Sequence, residues 1–461
     1  MLINQASVVA NSRQVTQLGH SQEDGKGLES GIVSQKFIIQ TSGNLSGKVD
    51  IPPNKSHSFR ALVMAGLADG TSRIIHPAES NDWMLATEAF EMFGAVVTPH
   101  KDNVWEVQGN GGRLTVPDDI IHCGNSGIFM RFTTAIASLG TGYTVLTGDE
   151  SLRKIRPVGP IVDGLNQLGA TAACTRGGAF APVMVKGPLK GGRAEIEGRD
   201  SQFVSSLLIA ASRAEGEAEL VVNNPGERPW VDVTLYWLDL MGIKYGNENY
   251  CRYRLGGNEK WDGFEYRVPL DWSAALYPVL AALVTEGSEI RISGMNFDDP
   301  QGDKEVLDVF RAMGGDARVE DGTVIARSSK LRGIEVDCNN FIDQLPLMAV
   351  AGCFAEGETR IVNAGVCREK ECDRIAISAE ILGGMGADIE QTDDGLVVRN
   401  SRLKGIEFDS HNDHRMVMAM SVAAMAAEGS TTIRHCDCVR KTFPRFVEQM
   451  AAVGAEIQKK G

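Results

Sequence analysis

Two glycine-centred markers recur in step along this chain, and that periodicity constrains the fold more than any single motif. The first marker sets a small or acidic residue before a glycine and a β-prone stretch after it. It falls at Gly70, Gly142, Gly216, Gly287, Gly357 and Gly429, at intervals of 70 to 74 residues. The second falls at Gly94, Gly169, Gly242, Gly314, Gly386 and Gly454, at intervals of 68 to 75 residues. Self-similarity at a fixed period means one supersecondary unit copied in tandem.

The chemistry of the unit follows from its residues. Apolar, Ala-rich runs such as FRALVMAGLA, SSLLIAAS, ALYPVLAALV and VMAMSVAAMAA precede the first marker. Such runs suit buried helices, because Ala costs least in a helix and permits close packing. The marker glycine is expected to end the helix in a left-handed conformation, with a strand rich in Ile, Val and Thr after it. A second amphipathic helix, as in LATEAFEMFG, ends at the second marker. Each unit thus reads as helix, strand, helix, strand, with further short strands. Six units predict an α/β or α+β protein whose helices cover sheets.

Composition sets outer bounds. At 461 residues the chain is expected to form two or three domains. A net charge of −14 argues against a nucleic-acid or anionic-membrane surface, which needs a basic face. Nine cysteines with no CxxC pair predict a reducing, cytoplasmic setting and no metal site. Cys436 and Cys438 alternate as if on a strand and read as buried thiols. Residues 1–35 are polar and read as an N-terminal extension, with no signal-peptide pattern.

Charged residues sit inside otherwise bland segments, and the chemistry is expected there. Pro52-Pro53-Asn54-Lys55-Ser56-His57-Ser58-Phe59-Arg60 opens an apolar helix. Two cations near a helix N-terminus oppose its dipole, so the segment reads as an anion site rather than a plain cap. Gly124-Asn125-Ser126-Gly127, followed by Arg131, suits close backbone approach to a ligand. Arg153-Lys154-Ile155-Arg156-Pro157 is either a solvated charge run or part of the same site. Asp200-Ser201-Gln202 and Asn412-Asp413-His414-Arg415 each open an apolar helix. Arg368 to Arg374 places Lys370 and Arg374 one helical turn apart, a spacing compatible with a salt-bridged exposed face. Arg440-Lys441-Thr442-Phe443-Pro444 closes the series.

From about Lys36 to the C-terminus the chain resembles the enolpyruvyl transferase family. KSHSFRAL, the RP of RKIRP, SQF, REKECDR, NDHRM and VRKTFP occur in the family's order, and the first and fourth are marks of its shikimate branch. The resemblance implies six βαβαββ-type repeats forming two similar domains around an interdomain cleft. One domain is expected to combine residues 36–50 with 271–461, the other to span 51–270. It also implies transfer of the carboxyvinyl group of phosphoenolpyruvate to a hydroxyl of a shikimate-type acid, with release of phosphate, by a monomer without cofactor or metal. Two alternatives stay open: a relative acting on an unphosphorylated or amino acceptor, even by elimination, and a non-catalytic anion binder.

The same resemblance assigns residues. Lys55, Asp343, Glu371 and His414 match catalytic positions. Lys55, Gly127, Arg156, Gln202, Arg374, Arg415 and Lys441 match the phosphoenolpyruvate site. Ser56, Arg60, Asp200, Ser201, Gln202, Glu227, Trp230, Asp343 and Lys370 match the acceptor site. The departures concentrate on that acceptor side and on the loop beside the phosphoenolpyruvate site, where Asn125 to Phe132 lacks the family's Thr and Pro. Asp200 stands where the family has the first Ser of Ser-Ser-Gln, Glu227 aligns with another Ser, Trp230 replaces a Tyr and Val366 an Asn. Two carboxylates facing an acceptor phosphate would be strongly unfavourable.

Overall fold

The computed structural model describes residues 35–461; the N-terminal extension expected over 1–35 lies almost entirely outside them. The chain builds six four-stranded sheets of one design. In each, an edge strand runs parallel to its neighbour and the remaining pairs are antiparallel, as where 121–122 pairs with 143–147, then 183–186, then 171–174. Two sheets are completed by N-terminal strands: Lys36–Gln40 joins the sheet of residues 407–460, and Ser46–Lys48 the sheet of 289–327.

Six apolar helices recur with the same period: α1 (Lys55–Leu67), α2 (Gly127–Ala137), α3 (Ser201–Ser212), α4 (Trp272–Val284), α5 (Leu345–Phe354) and α6 (His414–Ala426). They are buried nearly all round, as their composition requires. α2 packs on α3, and α6 on α4 and α5. Two hydrophobic cores result. One gathers Phe37 to Ile51 with Trp272 to Ile457, and the other Phe59 to Val268.

The second glycine series stops helices as expected. At Gly94 (φ 93°) the amide donates to the Glu91 carbonyl and that of Ala95 to Phe90, a left-handed cap. The first series behaves differently. α1 ends at Leu67 with Ala68 extended, and Gly70 turns the chain two residues later. Gly142 and Gly216 have no positive φ. The marker therefore records the turn into the strand, not the end of the helix.

Two local expectations are also corrected. Cys436 and Cys438 are buried, but on a 3₁₀ turn over Cys436–Lys441 rather than on a strand. Lys370 is extended backbone between a 3₁₀ turn and the helix Arg374–Gly384. Lys370, Glu371 and Arg374 are all buried, so no exposed helical face exists there. All nine cysteines are free, and no described helix is long and apolar enough to cross a membrane.

Candidate active site

The N-termini of the six helices meet at one place. A cavity of about 50 Å³ is lined by Lys55 and Ser56 of α1, Gly127 and Ile128 of α2, Gln202 of α3, Asp271 and Ser273 at α4, Asp343 just before α5, and His414 and Arg415 of α6. Arg156, Trp230, Lys370, Glu371 and Arg374 complete its wall. Each helix end contributes unpaired N–H groups and the positive end of its dipole, so the convergence favours anions.

Side chains cap most of these ends. Asn54 accepts from the His57 amide at 2.8 Å, Asp200 from Gln202 at 2.9 Å, Asp271 from Ala274 at 3.2 Å and Asp413 from Arg415 at 2.8 Å. Ser126 at α2 and Asp343 before α5 are the exceptions: Ser126 makes no cap hydrogen bond, and Asp343 is engaged elsewhere. Asp343 accepts from Arg374 Nη1 at 2.7 Å and Arg415 Nη2 at 3.1 Å.

The cationic half is a connected network. Arg374 Nε donates to Asp413 at 2.7 Å and its Nη2 to Glu371 at 2.9 Å. Arg156 lies 3.4 Å from the other Glu371 oxygen. Burial pushes the Asp343 and Glu371 carboxyls upward, but their arginine neighbours outweigh it and hold both well below the ordinary range. Burial, with Lys55 and Arg415 nearby, pushes His414 well below its usual value, so the ring is neutral. Lys55 is lowered chiefly by burial, and among the described residues it forms no ion pair. Gly127 is required sterically: a Cβ there would overlap the Arg156 guanidinium.

Five matched residues do not line the cavity. Lys441 donates to the Asn125 carbonyl at 3.0 Å, at the edge of a broad neighbouring depression. Arg60 is buried beside the wall, donating to the Ser56 and Trp230 carbonyls and to Thr234 Oγ1. Asp200, Ser201 and Glu227 are buried and bonded to wall residues. Glu227 accepts from Lys370 Nζ at 2.6 Å and from the Ser201 hydroxyl at 2.6 Å. Asp200 accepts from Arg131 Nη1 at 2.7 Å.

Sequence reasoning assigned no role to Asp271, Ser273, Asp413 or Thr442. The signal for the first three was present, since each sits at a helix start in phase with α1, α2 and α3.

Over residues 39–450 the chain matches the family described as EPSP synthase (3-phosphoshikimate 1-carboxyvinyltransferase). The chain belongs to the EPSP synthase family. It is similar to the 3-phosphoshikimate 1-carboxyvinyltransferase of Acetivibrio thermocellus, 43% identical over 412 residues, which span 89% of this chain and 97% of that relative. It is 38% identical to the one from Chlamydia caviae over 418 residues, 90% of this chain and 93% of the relative. The EPSP synthase fold is equally plain in three dimensions. An EPSP synthase structure from Acinetobacter baumannii matches with a TM-score of 0.78 at 29% identity, covering 93% of this chain and 100% of that one.

Proposed function

We propose that this chain transfers the carboxyvinyl group of phosphoenolpyruvate to a hydroxyl of a shikimate-type acid. The relatives above are named for that reaction on the 3-phosphate. One observation carries the reading: six helix N-termini, Lys55, Arg156, Arg374 and Arg415 converge on one enclosed cavity. A substrate with a carboxylate and a phosphate demands such a set, and Arg forks suit both groups.

In this reaction the acceptor oxygen bonds to carbon 2 of phosphoenolpyruvate while carbon 3 gains a proton. The resulting tetrahedral adduct then loses phosphate from carbon 2 and a proton from carbon 3, leaving the enol ether. Asp343 and Glu371, ionised and held by arginines, are assigned to accept the acceptor's proton. Lys55, its pKa lowered by burial and free of an ion pair, is assigned to hold the phosphate and deliver a proton. Arg156, Arg374, Arg415 and Lys441 are assigned to the phosphoenolpyruvate anions, with neutral His414 beside them.

Residues 51–270 and residues 36–50 with 271–461 are assigned to two domains that open to admit substrates, because the charged residues lining the site are largely buried. Free cysteines are compatible with a cytoplasmic enzyme, and we expect a monomer.

The test is phosphate release from phosphoenolpyruvate with a shikimate-type acid present. The wild-type chain should turn over, and Lys55→Met should lose at least a hundredfold in rate, within the usual range for a proton-transfer group. Equal turnover by Lys55→Met would defeat the assignment of Lys55. Tight phosphoenolpyruvate binding without turnover of any acid would favour an anion-binding paralogue.

A further inference from the structure

The polar groups of the site divide into two sets. Around Arg156 and His414, polar groups stand unused: Arg156 Nε, both ring nitrogens of His414, Ser126 Oγ and Arg415 Nε have no hydrogen-bond partner. Buried polar groups are ordinarily hydrogen-bonded, and these four side chains line the cavity. At the Lys370 end the donors are already engaged by the chain itself. The Ser201 amide and hydroxyl both donate to one Glu227 oxygen, at 3.0 and 2.6 Å, and Lys370 Nζ donates to the other at 2.6 Å. Asp200 lies 3.6 Å from the same ammonium. Arg131 spends Nη1 on Asp200; its Nη2 has no partner, but Arg131 does not line the cavity.

A helix-terminal amide, a hydroxyl and an ammonium converging on one oxyanion form a cradle suited to a phosphate. Glu227 occupies it. Its backbone is left-handed (φ 47°, ψ 42°), which a glutamate seldom adopts, and its amide is tied to Asn339 Oδ1 at 3.0 Å. The fold therefore holds this carboxylate in place against a backbone preference.

We infer that Glu227 and Asp200 determine acceptor specificity: they are the chain's own anions in the Lys370 subsite, and the acceptor presents an uncharged hydroxyl, not a phosphate, to Lys370. The inference rests on the carboxyvinyl-transfer reading above.

Two measurements on the full chain separate the two claims. Calorimetry without phosphoenolpyruvate compares binding of shikimate and shikimate 3-phosphate; phosphate release with phosphoenolpyruvate added reads the chemistry. Wild-type protein should bind shikimate at least tenfold more tightly than its 3-phosphate. Asp200→Ser with Glu227→Ser should reverse that order. Equal or tighter binding of the 3-phosphate by the wild type overturns the inference whatever the turnover, and so does binding of neither acid. Should the double variant fail to fold, Glu227→Gln alone must narrow the preference at least threefold; an unchanged preference overturns the inference. Shikimate bound in the expected order without phosphate release defeats the transferase reading and leaves the specificity assignment standing.

Discussion

The Arg156 guanidinium lies 3.4 Å from the Glu371 carboxylate, and the two residues belong to segments built around different hydrophobic cores. Both are buried. Removing one partner of such a pair leaves a desolvated charge and costs roughly 3–5 kcal/mol. Arg374 keeps Asp343 and Asp413, so Arg156 bears the loss in Glu371→Gln. That variant should melt several degrees lower than the wild type. Phosphoenolpyruvate should restore part of the difference by supplying the missing anion. An unchanged melting temperature would show that Arg156 is satisfied elsewhere.

Gly127 touches the same guanidinium. Gly127→Ala should displace Arg156 and raise KM for phosphoenolpyruvate about tenfold, the equivalent of ~1.4 kcal/mol. KM for the acceptor should hardly move, while the melting temperature should fall in the same sense as in Glu371→Gln, because Arg156 is shifted from the same partner. Steady-state kinetics with each substrate varied in turn checks this; equal effects on both KM values would point to a general disturbance of α2.

Two aspartates titrate in opposite senses. Asp343 is depressed by Arg415, Arg374 and Lys370 despite its burial. Its stabilisation is present above the unfolded value near 3.8 and is lost as pH falls through the lower folded value. The stability deficit of Asp343→Asn should therefore be largest at neutral pH and shrink below pH ~4. Asp303, whose carboxylate accepts from the Ser273 hydroxyl, is raised by burial to about 7. Its contribution is complete below 3.8, falls as pH rises, and is gone above about 7. Asp303→Asn should accordingly gain on the wild type between pH 5 and 8, by about 1 kcal/mol or more. Denaturant unfolding below pH ~4 and at pH 5 and 8 decides both signs.

His414 should remain neutral at pH 6, a condition in which a free imidazole is mostly protonated. Nitrogen-15 chemical shifts of the ring would read this directly. A protonated ring at pH 6 would mean that Glu371, not burial with Lys55 and Arg415, dominates its surroundings.

Much of this fold was legible because its cause is periodic. Two glycine series and six Ala-rich runs marked the repeats, and motif residues such as Lys55, Arg156, Arg374 and Arg415 do converge on one cavity. What the residues could not disclose was partnership. The spacing of Lys370 and Arg374 suggested an exposed helical face, yet one binds Glu227 from 143 positions away and the other Asp413 from 39. Asp343 stands just ahead of α5 and serves two arginines instead of capping the helix. Asp271 and Ser273 were in phase with the other helix starts but lacked a charged motif to draw notice. Contacts of this kind depend on how the repeats close on one another, which no local pattern encodes.

The convergence of six helix starts has a consequence for how such a protein changes. Each part of a bound molecule is met by a different copy of the same unit. A replacement at the head of α3 alters what one corner of the cleft accepts, while the corners served by α1, α5 and α6 keep their own inventory. The architecture works like a combination lock whose wheels turn separately: a new substrate needs one wheel reset, with the rest of the sequence left untouched.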